Sequence, residues 1–277
     1  MNAKTLLVEL FTEELPPKAL GRLGEAFAAG LQAGLRKRGF LAEGASASVY
    51  ATPRRLAAAI AGVASATEPR AVEVKLMPVA VGLSPEGQPT PALVKKLAAA
   101  GLAGLDPAKL RRRMDGKAET LFADATVPST PLAEGLQAAL DEAIAGLPIP
   151  KVMSYQLADG STTVQFVRPA HGLVALHGDD VVPVKALGLE AGRTVHGHRF
   201  EGARDIVLAN ADEYAGRLAA EGAVVASFAE RRAGILSQLE AAASREGASL
   251  GPAADVDALG VIAADVELAN TASIKLN

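Results

Sequence analysis

Leu6 to Phe11 form a short, nearly unbroken apolar run, which predicts a buried strand. Pro16 and Pro17 follow. Beyond them Leu20, Leu23, Phe27, Leu31 and Leu35 recur at steps of three and four, which lays one apolar stripe along a helix. Arg36, Lys37 and Arg38 fall in its last turn, where cations meet the negative end of the helix dipole, and Gly39 ends it. Ser46 to Thr52 predicts a strand. Pro53 interrupts it, and Leu56 to Val63 resumes as strand or helix, because its alanines suit both. Val72, Val74 and Leu76 alternate with charged residues, as on a strand.

The stretch from Pro78 to Pro91 is rich in glycine and proline and reads as a loop. Three helix starts then share one device. Thr90-Pro91, Asp106-Pro107 and Thr130-Pro131 each set a capping oxygen before a proline at the first helical position. They predict helices over Ala92–Ala100, near Ala108–Arg112 and over Leu132–Ala145, with a strand from Glu119 to Val127 between the last two. Thr162 to Val167 predicts another strand, Ala170 to Leu176 a short apolar helix or turn, and Val181 to Leu187 a further apolar run. Asn210 with Glu213, and Ser227 with Glu230, match the capping box, and the second of these helices runs to about Glu246. Strands and helices mix without a regular βαβ beat, so the expected class is α+β, with mixed sheets and flanking helices. The proline-rich link from Leu147 to Pro150 divides the chain into two subdomains, 1–147 and 148–246, with 247–277 a divergent tail.

Composition narrows the function. A chain of 277 residues with 49% hydrophobic and 21% charged residues is globular rather than disordered. It has no cysteine, which excludes disulfides and thiolate metal sites and suits a cytoplasmic protein. Glu9, Glu13 and Glu14 arrive too early for a signal peptide, and no apolar run is long enough to span a membrane. The net charge of -3 gives no broad basic field, so contact with RNA requires a local cluster. Aromatics are only 4% and tryptophan is absent, which argues against base stacking as the main mechanism.

Arg54, Arg55, Arg193, Arg199 and Arg204 offer planar forks that can each bond two phosphate oxygens; the blander role is to cap carbonyls or pair with carboxylates. The four histidines all lie between 171 and 198. His196 and His198 are two apart and share a face if they sit on a strand. With His171, His177 and a carboxylate such as Asp179 or Asp180 they suggest a zinc site and a metal-dependent hydrolase, although hydrogen bonding to backbone carbonyls is the simpler use. Arg111, Arg112 and Arg113 form a basic run at a predicted helix end. Glu9, Glu13 and Glu14 have no nucleophile nearby in sequence and read as caps or surface residues.

Four blocks, in order, carry a resemblance: Leu7-Val8-Glu9-Leu10-Phe11-Thr12-Glu13-Glu14-Leu15-Pro16-Pro17-Lys18; Ala51-Thr52-Pro53-Arg54-Arg55-Leu56; Pro148-Ile149-Pro150-Lys151 with Phe166-Val167-Arg168-Pro169 and His171; and Ala191-Gly192-Arg193-Thr194 with Gly197-His198-Arg199-Phe200. In order and spacing they resemble the N-terminal part of the β subunit of bacterial two-subunit glycyl-tRNA synthetase. The chain departs from that pattern at Gly172, where the family usually has an aromatic, and at Ser154 and His196. The resemblance implies a truncated, non-catalytic segment of a glycine–tRNA ligase that supports tRNA(Gly) recognition and assembly with an adenylate-forming α subunit. It implies ATP and Mg for the holoenzyme through that subunit, no cofactor or metal in this chain, and neither membrane nor DNA as partner. Arg54, Arg55, Lys151, Arg168, His171, Arg193, His196, His198 and Arg199 become the RNA-binding candidates. A hydrolase built on the four histidines and a pure scaffold for the α subunit are the alternatives.

Overall fold

The computed structural model describes residues 3–116 and 118–247. In chain order the elements are β1 (Lys4–Thr12), α1 (Pro17–Arg38), β2 (Ala47–Thr52), β3 (Arg55–Val63), β4 (Arg70–Pro78), α2 (Val79–Gly82), α3 (Pro91–Ala99), β5 (Arg111–Asp115), β6 (Ala118–Val127) and α4 (Leu132–Ala145). There follow β7 (Met153–Gln156), β8 (Thr163–Phe166), β9 (Ala170–His177), β10 (Asp180–Val181), β11 (Lys185–Ala186), β12 (Leu189–Glu190), β13 (Thr194–His196), β14 (Asp205–Val207), α5 (Tyr214–Ala220) and α6 (Phe228–Arg245). The class is α+β, and the named strands pair antiparallel.

The chain forms two compact units, and they are cut differently from the subdomains expected at the 147/148 link. Residues 68–130 make one unit; the described residues within 1–67 and 131–277 make the other. The larger unit holds a five-stranded sheet in the order β10-β9-β1-β3-β2. Because β9 pairs with β1 along most of its length, segments from both sides of the proline-rich link share one sheet.

That sheet is buried on both faces. Leu6, Val8 and Leu10 of β1, Leu56, Ala58 and Ile60 of β3, and Leu173 and Ala175 of β9 face a core with α1 and α4. Leu7, Ala57, Val174 and Leu176 face a second core closed by Val195, Ile206, Leu208, Tyr214 and Leu218. Double burial explains why β9, expected as a helix or turn, is a strand: with both faces covered, its apolar run loses the alternation that marks a strand. The same cause resolves β3.

Helix α1 follows its stripe, with Leu20, Leu23, Phe27, Leu31 and Leu35 fully buried and Gly39 closing the helix at φ 83°. Ser227 caps α6 by accepting from the Glu230 amide (3.2 Å). Asn210 caps a short turn by accepting from Asp212, two residues on. α4 has the predicted span, yet Pro131 itself occupies the cap position and no side chain caps it.

The smaller unit is a three-stranded sheet, β4-β6-β5, closed by Leu93 and Leu97 of α3 over Leu76 and Leu121. Thr90 and Asp106 cap as expected, through the amides of Leu93 and Ala108. The predicted loop after Pro78 begins with the one-turn α2. Arg111–Arg113 lie on β5 and not at a helix end, because the helix opened by Asp106 is a single 3-10 turn over Pro107–Lys109. Among the described residues no helix is long and apolar enough to cross a membrane.

Candidate nucleic-acid interface

Alternation along β1 sends Leu7, Glu9 and Phe11 to the same side of the central sheet. Glu9 is buried there. Tyr214 Oη donates to its carboxylate (2.5 Å), and the guanidinium of Arg55, equally buried, lies 3.9 Å away. Burial first, and then the charge of Glu9, push the Tyr214 hydroxyl well above its ordinary pKa, so it stays a donor. Arg55 Nη2 also donates to the carbonyl of His196 (2.7 Å), which ties β3 to the β13–β14 hairpin.

One pleat further on, Phe11 sits between Arg55 on β3 and Gly172 on β9. Its ring packs on the imidazole of His196, with centroids 4.7 Å apart. A Cβ at Gly172 would come within 3.3 Å of Phe11 and 3.8 Å of His196 Nε2. The small residue thus leaves open the floor of a cleft of about 610 Å³, lined by Phe11, Glu13, Arg54, His171, His196, Gly197, Arg199 and Arg204.

Electrostatics in this cleft are mixed. Arg54 lies over the Phe11 ring (4.8 Å) and approaches Glu13 (3.6 Å) and Glu14 (3.8 Å). Its Nε is buried without a hydrogen-bond partner. Arg199 Nη2 donates to Glu14 (2.7 Å), and His171 Nε2 meets Glu13 (2.9 Å). The Glu14 carboxyl is held below its ordinary range, first by its own backbone amide and then by the charges of Arg54 and Arg199. His196 gives its Nδ1 to Asp205 (2.8 Å), leaving Nε2 as its remaining polar atom. Among the described residues no carboxylate pairs with the guanidinium of Arg204. The cleft therefore offers three guanidinium groups and two imidazoles against three carboxylates, Glu13, Glu14 and Asp205, an arrangement suited to phosphate oxygens.

The nine expected candidates separate. Arg54, His171, His196 and Arg199 line the cleft. Arg55 is buried beneath it and structural. Arg193 donates to the carbonyls of Asp179 (2.9 Å) and Leu208 (3.2 Å), and Arg168 to that of Glu14 (2.9 Å), so both fasten backbone. Lys151 is exposed in the turn before β7 and does not line the cleft. His198 accepts from the amide of Phe200 (3.4 Å). β13 ends at His196, so His196 and His198 do not share a strand face as expected. His171 and His177 lie at opposite ends of β9, and buried His177 donates Nε2 to the Val63 carbonyl (2.7 Å). The four histidines do not converge on one point. Arg204, one of the arginines weighed for phosphate contact but outside the nine, belongs to the lining, as does Phe11, which reads from the sequence only as strand core.

A family model described as glycyl-tRNA synthetase beta subunit matches residues 6–270. The chain is 59% identical over 258 residues to the glycine–tRNA ligase beta subunit of Dechloromonas aromatica (strain RCB), covering 91% of this chain and 36% of that protein. It is 58% identical over 273 residues to that of Delftia acidovorans (strain DSM 14801 / SPH-1), covering 98% and 39%. To that of Thiobacillus denitrificans (strain ATCC 25259 / T1) it is 55% identical over 271 residues, covering 98% and 38%. The chain thus spans 36% to 39% of the length of these curated relatives. The family match continues to residue 270, through most of the tail expected to diverge from 247; residues 248–277 lie outside the described residues.

Proposed function

From the premise that the chain belongs to the glycyl-tRNA synthetase β-subunit family, we propose that it is the non-catalytic N-terminal portion of such a subunit, supporting tRNA(Gly) recognition and assembly with an α subunit. In this reading the α subunit binds ATP and Mg and forms the glycyl adenylate, and the assembled enzyme works in the cytoplasm. The family match across residues 6–270 carries the proposal. The cleft supplies it with a chemical means: three arginines and two histidines gathered in a chain whose net charge is -3 can attract phosphates only locally.

Two measurements on the 277-residue chain test this. Without α subunit it should give no glycine-dependent exchange of pyrophosphate into ATP; robust exchange overturns the division of roles. It should bind tRNA(Gly) weakly, with affinity falling as salt rises by about 0.7–0.9 in log–log slope for each phosphate contact. No binding at low salt sets aside RNA contact by this segment and leaves the scaffold for the α subunit.

A further inference from the structure

Phe200 is 84% exposed, and of the large apolar side chains left exposed among the described residues it is the one aromatic. Its ring leaves no folding role to account for it. Nor is its position loose. The loop that carries it is fastened at its base by Gly197 N to the Ala203 carbonyl (3.1 Å) and Gly202 N to the His198 carbonyl (3.1 Å). His198 N and Ala203 N reach further, to the carbonyls of Gly222 and Glu221 (each 2.7 Å). At Gly202 a Cβ would meet the Gly222 carbonyl oxygen at 2.0 Å, so only glycine lets the two backbones close.

The ring's neighbours are cationic or polar. The Arg199 guanidinium lies 5.8 Å from its centroid and the His198 imidazole 6.1 Å away, edge-on. Arg199 is also a wall of the cleft, with Arg204 and His196. An apolar protein partner calls for a contiguous apolar patch. A lone aromatic beside a guanidinium group that also lines the cleft instead matches the way single-stranded nucleic acid is held, a base on the ring and phosphates on the cations.

We propose that Phe200 is the stacking platform for one unpaired nucleobase, and that Arg199, Arg204 and His196 hold the adjoining phosphates of the same strand in the cleft. The inference rests on the RNA-handling reading above and narrows it to single-stranded RNA. A paired base has both faces covered by its neighbours and cannot reach the ring. The low aromatic content argues against a row of stacked bases, but not against a platform for one.

The test uses the 277-residue chain and a short single-stranded oligoribonucleotide carrying one 2-aminopurine, with the same strand annealed to its complement for comparison. Binding of the single strand at low salt should quench the fluorophore. Phe200→Ala should weaken binding roughly tenfold and remove the quench, since stacking on one aromatic is worth about that factor or more. Phe200→Tyr keeps a ring and should preserve both, and the duplex should be indifferent to Phe200→Ala. If Phe200→Ala binds and quenches like the parent while Arg199→Ala with Arg204→Ala weakens binding, the platform is refuted and the RNA-handling reading stands. If no RNA binds even at low salt, both fall. If Phe200→Ala weakens only association with the α subunit, the ring belongs to a protein interface and the platform is overturned.

Discussion

Two of the chain's three runs of consecutive arginines end in different environments. Arg54 lies in the turn between β2 and β3 and Arg55 opens β3, where the ends of β1 and β9 and the β13–β14 hairpin also arrive. Arg111, Arg112 and Arg113 lie on β5, an edge strand of the smaller unit. There they meet groups on the other two strands of their sheet: Arg111 pairs with Asp124, and Arg113 with Glu73 (3.0 Å) while lying over Phe122 (4.2 Å). Both side chains are 61% exposed. The count of arginines does not make a candidate site; convergence of distant strand ends does. Such ends bring together charges that lie far apart in sequence, such as Glu14 and Arg199.

The sharpest way to break that contrast is to compare neighbours. Arg55→Ala should cost about 3–5 kcal/mol, because it strips a buried carboxylate, Glu9, of its guanidinium. Arg54→Ala should cost less, since Arg54 reaches the cleft surface and its ion pairs are partly solvated. Urea unfolding of both variants decides this, and equal losses would erase the distinction between floor and wall.

A smaller effect should appear in binding. Arg199→Ala with Arg204→Ala should lower the salt slope for tRNA(Gly) by about 0.7–0.9 for each lost contact, whereas Arg111→Ala should leave it unchanged. Weakening by Arg111→Ala alone would move the interface to the smaller unit.

Smaller still, Arg113→Ala should destabilise the smaller unit by about 0.5–1 kcal/mol through loss of its exposed stacking on Phe122. Hydrogen exchange at the amides of β5 and β6 should report it; no change would mean that the ring contact contributes nothing.

The least of these effects lies on the helix side of the larger unit. Hydrogen bonds from Arg38 (2.7 and 3.0 Å) pull the exposed Glu142 carboxyl down to about 2. A lowered carboxylate pKa stabilises the fold fully above the ordinary value near 4.5, and the contribution disappears as pH falls toward 2. Glu142→Gln should therefore flatten part of the acid limb of stability between those values and change little at neutral pH. An unaltered acid limb would show that the pair is too solvated to matter.

Much of the larger unit is legible in one-sided patterns. The stripe from Leu20 to Leu35 places α1, and the arginine-rich turn before Gly39 ends it. The candidate cleft was legible only in part. Arg54, His171, His196 and Arg199 stood out within blocks that resemble a family, yet nothing local separated them from Arg55, Arg168 and Arg193, which serve the fold. Phe200 was visible as a residue of the fourth block, but its exposure was not.

The sequence by itself determined the elements whose burial is periodic or whose ends are capped by near neighbours, namely α1, the Thr90 and Ser227 helix starts and the span of α4, and it placed β1 from its short, nearly unbroken apolar run. Only the tertiary structure decided that 170–177 is a strand, because burial on both faces erases the period that distinguishes strand from helix. It also decided that Arg54 faces the cleft and Arg55 the core. Adjacent residues on a sheet point to opposite sides or out of its end, and which side is covered depends on His196 and Tyr214, more than 140 residues further along the chain.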